Sequence, residues 1–319
     1  MATPLTNHSA AASAVRNDNA RRVAALSTAN PHAQFSLATP WANMTREEFA
    51  RMHGLIVVGG AGAGTDPGLP CQFTGKGTVP VLVPTAAALP GGLDWVARGA
   101  TVGVKNQGKC GSCWAHGTTA VVESRMKLET GKITPLSEQF LLDCDGARVC
   151  GGCCGGLAER ALQWLAGDAG PGFPYEGRGI ASEADYPYTS ASGVDPTKGR
   201  CNHSAPLVAK LAGFGVLKNP VTAARVTSAV TQYGVLATSM DAHALQFYKS
   251  GIITSAADCS SSDHVVAIVG YGTEGGVPYY KVRNSYGTQF GEDGYFRISK
   301  AAAEGCGMFS CVVAGTGSG

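Results

Sequence analysis

The 319-residue chain lacks the features that mark several other classes of protein. No apolar run approaches the roughly 18 residues that a membrane-spanning helix needs, so a membrane protein is not expected. Charged residues make up only 15% of the chain and the net charge is +2, which gives no reason to expect nucleic acid or an acidic membrane as a partner. No segment repeats at a fixed period, which argues against a repeat architecture.

The N-terminal part of the chain carries few structural signals. Residues 1–30 lack the charged start and apolar stretch of a secretory signal, so we expect either that a signal has been removed or that the gene start is incomplete. Residues 1–35 are rich in Ala and Asn with little periodicity, which predicts a weakly specified segment. Thr45 and Glu48 form a capping-box pattern that predicts a short helix. The glycine run at 59–64 has no Lys-Ser or Lys-Thr after it, which favours a loop over a phosphate site.

The eleven cysteines indicate an oxidising compartment, because cytosolic proteins rarely use so many. An odd number leaves at least one thiol unpaired within the chain, and Cys113 is the natural candidate. A metal site at Cys144, Cys150, Cys153 and Cys154 is the alternative. Zinc would need a second cysteine pair at regular spacing, however, and none is present, so we predict no metal and no cofactor.

From Leu93 onward the sequence reads as a helical half followed by a strand-rich half. Such an order favours an α+β fold with two lobes. Helices are predicted at 113–130, 138–143, 157–166 and 223–233, and strands at 264–270, 278–283 and 294–298.

The residues around Cys113 indicate a nucleophile. Cys113 opens an apolar helical segment, and a thiol at a helix N-terminus faces unpaired N–H groups and the positive end of the helix dipole. Both favour the thiolate, which is the attacking form. Gln107 lies just upstream, where its side-chain amide can donate a hydrogen bond to an oxyanion that forms beside the sulfur.

A thiol nucleophile also needs a base, and seven histidines compete for that role. His264 follows Asp263 and opens a strand, so a rigid element would hold its ring. Asn284 ends a later strand and is placed to orient the imidazole by a side-chain hydrogen bond. His116 lies three residues after Cys113 on the same helix, which would direct it along the helix and not across a cleft.

These motifs together resemble the papain-like cysteine proteases, the cathepsin L branch most closely. The resemblance rests on Gln107 to Ala115 with its Cys-Gly-Ser-Cys-Trp run, on Asp263-His264, and on Asn284-Ser285 followed by Gly287, Gly291 and Gly294-Tyr295. It covers about residues 89–319, with a weaker match over 19–54. It implies a helical left lobe at about 100–205 and a β-barrel-like right lobe at about 206–319. Cys113 would be the nucleophile, His264 the general acid/base, Asn284 the orienting residue and Gln107 the oxyanion donor.

The resemblance also implies three disulfides: Cys110–Cys153, Cys144–Cys201 and Cys259–Cys306. Cys71, Cys150, Cys154 and Cys311 stay unassigned, with Cys150–Cys154 as an extra bridge. Substrate specificity would depend on the pocket for the side chain two residues before the cleaved bond. Its matching positions are small or apolar and predict an apolar residue there: Leu157, Ala158, Ser239, Ser262, Val265 and Cys311. An ordinary buried thiol is an equal interpretation of Cys311.

Three positions depart from the family pattern. Tyr286 and Phe290 stand where tryptophans are usual, and Tyr286 would roof the Asn284–His264 hydrogen bond with a smaller ring. His116 stands where a phenylalanine is usual, which places a titratable group on the nucleophile helix.

Residues 1–88 would be a truncated prosegment and linker whose early helix is largely missing, and maturation would cut at about 75–92. The prosegment would act as an intramolecular inhibitor of a monomeric enzyme. Protein or peptide substrates and cystatin-like inhibitors are the expected partners, in a lysosome, a vacuole or outside the cell. A catalytically silent papain-like protein that binds peptides is the alternative function.

Overall fold

The computed structural model describes residues 7–53, 80–144, 152–167, 179–193, 200–217, 219–260 and 262–317. The helices are α1 Asn7–Ala29, α2 Arg46–His53, α3 Cys113–Thr130, α4 Glu138–Cys144, α5 Ala158–Leu165, α6 Ala223–Tyr233 and α7 Lys300–Gly305. The first strands are β1 Ala33–Phe35, β2 Val81–Leu82, β3 Leu93–Asp94, β4 Ile180–Ala181, β5 Leu207–Ala209 and β6 Gly213–Leu217. The later strands are β7 Leu236–Met240, β8 Tyr248–Ile253, β9 His264–Glu274, β10 Val277–Arg283, β11 Tyr295–Ser299 and β12 Val312–Gly317.

Helix α3 is the central helix, and its predicted bounds of 113–130 are confirmed. Gly131 ends it in the left-handed conformation, at φ 73°, where glycine carries no steric penalty. One face of α3 packs on α4 and α5, and the opposite face packs on β9 and β7. At Gly117 a Cβ atom would lie 2.7 Å from Val265 Cγ1, so glycine permits the close approach of α3 to β9.

Ten of the described strands form one large mixed sheet in the order β1-β8-β11-β10-β9-β7-β12-β6-β2, with β3 also pairing with β9, and β4 pairs with β5 in a separate two-stranded sheet. Strands β9 and β10 form an antiparallel hairpin through Gly275 and Gly276, both with positive φ. Among the strands that the structure describes, the two ends of this order do not pair with each other. The prediction of a barrel-like right lobe is therefore wrong in this respect, because the sheet stays open with β1 and β2 at its edges.

Two hydrophobic clusters support the two-lobed α+β prediction. The smaller one joins α3, α4 and α5, with Val121, Leu141 and Leu162 fully buried. The larger one lies on the sheet and includes Ile268 and Phe296. Burial of this apolar surface is the main force that holds the layers together. No helix among the described residues is long and apolar enough to cross a membrane.

The three predicted disulfides Cys110–Cys153, Cys144–Cys201 and Cys259–Cys306 are present. They close loops of 43, 57 and 47 residues, which restricts the unfolded chain and favours the folded one. Cys154 and Cys311 are also disulfide-bonded. The predicted pairing Cys150–Cys154 involves Cys150, which lies outside the described residues, as does Cys71.

Residues 7–53, the N-terminal segment, are ordered on the sheet side of the molecule. The prediction of a weakly specified segment without its early helix is wrong, because α1 spans 23 residues. The helix has little amphipathic pattern of its own and is held by tertiary contacts. The side chain of the buried Asn19 donates to the carbonyl oxygens of Ala42 and Met44 at 2.9 and 2.8 Å. Strand β1 then pairs with β8, which attaches the segment to the edge of the large sheet.

The predicted capping box at the start of α2 is confirmed. The Thr45 N–H donates to Glu48 Oε2 at 2.8 Å, and the Glu48 N–H donates to Thr45 Oγ1 at 3.1 Å. This reciprocal pair satisfies two backbone donors at the helix start. It fixes the direction of α2 and carries Phe49, which is 1% exposed, into the larger hydrophobic cluster.

Candidate active site

Cys113 lies at the first position of α3 and is fully buried. Among the described residues it is the one free cysteine, in agreement with the odd cysteine count. The backbone N–H of Val265, on β9, hydrogen-bonds the sulfur, and the N–H groups of Trp114 and of Cys113 itself also lower its pKa. The sulfur therefore faces the start of β9, where His264 lies.

Burial nevertheless dominates the thiol and raises the pKa of Cys113 to about 12, with the Asp263 carboxylate acting in the same direction. The expectation of a favoured thiolate is wrong for this form of the protein. The helix N-terminus does contribute as predicted, through the N–H groups of Trp114 and Cys113. Removal from water costs the charged form more than these donors return.

His264 and Asn284 are joined by a hydrogen bond of 2.8 Å between His264 Nε2 and Asn284 Oδ1. An amide oxygen only accepts, so Nε2 carries the hydrogen and Nδ1 is the basic atom of the neutral ring. Strand pairing holds the backbone of His264 opposite Met240 of β7. Asn284 Oδ1 also accepts from the Ser285 N–H at 2.8 Å, which fixes the orientation of the amide.

Tyr286 covers this pair. Its ring centroid lies 5.0 Å from that of His264 at an interplanar angle of 36°, and the residue is fully buried. The rings of Trp41 and Phe49 of the N-terminal segment also pack against Tyr286, with centroids 5.4 and 6.0 Å from its ring. The N-terminal segment thus contributes directly to the apolar cover above the histidine.

Gln107 lies next to the turn that leads into α3. Its side-chain nitrogen donates to the Cys110 carbonyl at 2.8 Å, and its side-chain oxygen accepts from Ser285 Oγ at 2.5 Å. Ser285 follows Asn284, so the amide of Gln107 and the His264–Asn284 pair are held by one short segment. These two hydrogen bonds fix the plane of a buried amide close to the start of α3.

Several predicted pocket residues come together between α5 and the sheet. Ala158, Val265 and Cys311 belong to the smaller hydrophobic cluster. Ser239 lies opposite Val265 in the pairing of β7 with β9, and Leu157 is the N-cap residue of α5. Leu157 and Ser262 are partly exposed. Because Cys311 is disulfide-bonded, its interpretation as an ordinary buried thiol is wrong.

A buried charge cluster beside His264 was missed by sequence reasoning. The hydrogen bond between His243 Nδ1 and Asp241 Oδ1 is 2.6 Å long, and Asp263 Oδ2 lies 3.8 Å from the same nitrogen. Burial and the Asp241 carboxylate raise the pKa of Asp263 to about 6. The Asp-Ala-His spacing at 241–243 was visible in the sequence, but only the pairing of β7 with β9 places it next to Asp263.

A second feature missed from the sequence is an arginine clamp, which we define as Arg22, Arg46 and Asp258. The two arginines of the N-terminal segment approach the Asp258 carboxylate at 3.4 and 3.0 Å. Arg46 also donates to the Asp258 carbonyl and to Ser260 Oγ, and Arg22 donates to Gln246 Oε1 at 2.8 Å. The partners are more than 200 residues apart in the chain, which explains why no sequence pattern reveals them.

A sequence profile described as the papain family cysteine protease matches residues 89–316, which includes every element from β3 to β12. The chain belongs to the papain family of cysteine proteases. It is 34% identical to the cysteine proteinase COT44 of Brassica napus over 91% of this chain and 82% of that protein. It is 38% identical to mouse procathepsin L over 70% of this chain and 65% of that protein.

A solved structure extends the likeness to the N-terminal segment. Digestive procathepsin L 3 of Tenebrio molitor matches with a TM-score of 0.73 and 26% identity, over 99% of this chain and 94% of that one. The papain family member described here is therefore a cysteine-type endopeptidase precursor of the cathepsin L kind, with the two-lobed α+β fold of the family. Its N-terminal segment is the prosegment of a zymogen.

Proposed function

We propose that the mature enzyme cleaves peptide bonds by nucleophilic attack of the Cys113 sulfur on the scissile carbonyl. His264 Nδ1 takes the thiol proton and then gives it to the leaving amine, which leaves an acyl-enzyme on Cys113. His264 then takes a proton from water, and the hydroxide formed releases the acid product. The observation that carries this proposal is the 2.8 Å bond from His264 Nε2 to Asn284, because it reserves Nδ1 for the sulfur.

Gln107 supplies the oxyanion hole in this proposal, together with the backbone N–H of Cys113. The hydrogen bonds to Ser285 and to the Cys110 carbonyl support that role, because they orient the amide before substrate binds. Donors that are already in place need no rearrangement when negative charge develops on the carbonyl oxygen.

The prosegment inhibits the enzyme in the same molecule, through the arginine clamp and the stacking of Trp41 and Phe49 on Tyr286. The buried thiol supports this view, since a pKa of about 12 leaves almost no thiolate at neutral pH. Maturation at about residues 75–92 removes this cover. The thiolate then forms more readily, because water and the neighbouring imidazolium stabilise its charge.

The pocket formed by Ala158, Val265 and Cys311 selects an apolar residue two positions before the cleaved bond. Its walls belong to a hydrophobic cluster and would leave a charged substrate side chain without a partner. The natural partners are protein or peptide substrates and cystatin-like inhibitors. The three disulfides support a lysosomal, vacuolar or secreted location, since these bonds persist in oxidising compartments.

Intact mass spectrometry tests the proposal. The zymogen is incubated at pH 4 to 7 with a reductant and an epoxysuccinyl thiol inactivator, and a fluorogenic peptide with leucine or phenylalanine before arginine is assayed in parallel. We expect loss of about the first 75–92 residues in acid, one adduct per chain, and turnover that the inactivator abolishes. The Cys113→Ser variant is the control and should show neither adduct nor turnover.

The second candidate function is a catalytically silent protein that binds peptides, and the replacement of the usual tryptophan by Tyr286 is the observation that favours it. In that case a folded chain would show neither adduct nor turnover even after the prosegment is removed. Peptide binding to the Cys113→Ser variant alone does not distinguish the two candidates. Turnover by the wild-type chain does.

A further inference from the structure

A small cavity lies behind the catalytic pair, between α3 and the strands β9 and β10. Its volume is about 10 Å³, which is near the lower limit for one water molecule. Its walls include residues of α3, of both strands and of the preceding loop: Lys105, His116, Gly117, Val265, Arg283 and Asn284. The close approach of α3 to β9 at Gly117 keeps the cavity small.

Asn284 and Arg283 on this wall each have a buried nitrogen without a hydrogen-bond partner. Asn284 is 3% exposed, and its Oδ1 already accepts from His264 and from the Ser285 N–H, whereas its Nδ2 has no hydrogen-bond partner. A buried donor without a partner costs free energy, so a partner of the right size is expected beside it. The cavity is the space that Asn284 lines.

His116 offers the matching acceptor. Its Nδ1 lies 3.0 Å from the Ser112 carbonyl oxygen, and since a carbonyl only accepts, Nδ1 carries the hydrogen. Nε2 of the neutral ring is then an acceptor. The ring packs edge-on against Tyr188 at 5.4 Å, which holds its plane, and the residue is 8% exposed.

We propose that one water molecule in this cavity accepts a hydrogen bond from Asn284 Nδ2 and donates one to His116 Nε2, which makes His116 a positioning residue for the catalytic pair. The proposal rests on the proposed function of His264 and Asn284. The water holds the Asn284 amide from the side opposite His264. A phenylalanine, which is usual at this position in the family, has no atom that could accept from such a water.

The charges around His116 come from several elements. Glu138 of α4 favours the protonated ring, whereas Lys105 and Arg283 of β10 disfavour it. Lys105 is itself paired with Glu138 and with Glu123 of α3, at 2.7 and 3.1 Å. Burial is the largest effect and lowers the pKa of His116, so the ring is neutral near pH 7 and keeps its acceptor.

Protonation of His116 in acid removes this acceptor and adds a positive charge behind the catalytic imidazole. Both changes reduce activity, so the acid side of the profile of kcat/KM against pH contains a contribution from His116. An enzyme in which position 116 cannot titrate loses that contribution and keeps activity to lower pH. This prediction separates a positioning role from a role in packing alone.

The kinetic test compares acid-matured wild type with His116→Phe and His116→Gln, and uses His203→Gln as the control at an exposed histidine. His116→Phe should lower kcat/KM at pH 7 by about three- to tenfold. His116→Gln should recover most of that loss, because its side-chain oxygen accepts a hydrogen bond, and it should show a shallower acid limb than wild type. If both His116 variants show the same profile of kcat/KM against pH as wild type, the proposal is overturned.

A second measurement does not depend on activity. In the full-length Cys113→Ala chain, NMR should show neutral His116 with its hydrogen on Nδ1 at pH 7. It should also show a long-lived water in contact with the Asn284 side-chain amide protons, and this signal should be absent in the His116→Phe chain. If no such water is detected, the proposal fails. If the water is present but wild type has no turnover, the proposed function fails instead.

Discussion

The ring of Tyr286 lies 5.0 Å from the ring of His264, tilted by 36°, and the ring of Trp41 of the prosegment lies 5.4 Å from that of Tyr286. In the zymogen, Tyr286 thus covers His264 and is itself packed against aromatic residues of the prosegment. The proposed maturation would remove Trp41 and leave Tyr286 as the cover. The size and polarity of Tyr286 therefore matter most in the mature enzyme.

Replacing Tyr286 tests this cover. Tyr286→Ala should lower kcat/KM of the matured enzyme by about tenfold, because water gains access to the hydrogen bond between His264 and Asn284. Tyr286→Phe should keep the activity within about threefold, because it retains the ring and removes only a buried hydroxyl. Phe296→Leu is the matched control, since Phe296 belongs to the same aromatic cluster and packs against Phe290. The Phe296→Leu variant should lower thermal stability without lowering kcat/KM. An equal loss of kcat/KM in Phe296→Leu and Tyr286→Ala would contradict the prediction.

Removal of the oxyanion donor should be costly. Gln107→Ala is expected to lower kcat by about 10²- to 10³-fold with a smaller change in KM, because the donor acts on charge that develops in the transition state. Ser285→Ala should lower kcat by about three- to tenfold, because it removes the hydrogen bond that orients the Gln107 amide. Steady-state kinetics with the fluorogenic peptide measure both effects. A loss confined to KM would contradict the assigned role.

The arginine clamp predicts the strength of autoinhibition. The double variant Arg22→Ala/Arg46→Ala should release the prosegment about three- to tenfold faster at pH 6, because the clamp is only partly exposed and makes charge-assisted hydrogen bonds. Arg21→Ala is the control, since Arg21 and Asp18 form an exposed pair that contributes little to stability. Mass spectrometry of timed samples follows the reaction. Equal maturation rates of the two variants would exclude a role for the clamp.

The raised pKa of Asp263 predicts a pH-dependent stability. The folded chain holds this proton up to about pH 6, whereas an unfolded aspartate releases it near pH 4. The contribution of Asp263 to the free energy of unfolding is therefore fully present below pH 4 and is lost as the pH rises through 6. Asp263→Asn, in a Cys113→Ala background that prevents autolysis, should therefore raise the free energy of unfolding by about 1–3 kcal/mol at pH 7.5 and leave it unchanged below pH 4.

Urea unfolding across this pH range measures the effect. Asp18→Asn is the control at an exposed carboxyl, whose substitution should change the free energy of unfolding by less than about 0.5 kcal/mol at either pH. A gain that is the same at pH 4 and pH 7.5 would show that the asparagine acts through packing and not through the titration of Asp263.

The buried thiol predicts different reactivity before and after maturation. A pKa of about 12 leaves little thiolate at neutral pH, so iodoacetamide should alkylate Cys113 slowly in the zymogen, with a rate that increases with pH up to the limit of folding. The matured enzyme should react at least 100-fold faster at pH 7. Alkylation is followed by intact mass. Equal rates in the two forms would mean that the prosegment does not control the thiol.

Local sequence signals predicted the elements that carry the candidate catalytic residues. The bounds of α3 followed from its apolar spacing and from Gly131, and the start of β9 followed from the apolar run after His264. The capping box of α2 was predicted for the same reason, because both partners lie within four residues. Such signals are read from a short window and do not require knowledge of the fold.

Signals of this kind failed for α1. Its sequence has no clear apolar stripe, so nothing within the helix reveals it. It is stabilised by Asn19 and by Arg22, whose partners lie 23 to 236 residues away in the chain. The prediction of a barrel-like right lobe was wrong for a related reason. Whether a sheet closes depends on the pairing of its edge strands, and no strand specifies that pairing alone.

The sequence by itself indicated the candidate catalytic residues and the helices and strands that carry them, because residue type, spacing and caps act over a few positions. Only the tertiary structure decided the state of those residues. Burial raises the pKa of the Cys113 thiol although its helix N-terminus favours the thiolate, and the pairing of β7 with β9 places Asp263 beside Asp241. The packing of α3 on β9 and β10 encloses the cavity shared by His116 and Asn284. Desolvation and long-range contacts depend on the whole fold, and no local pattern contains them.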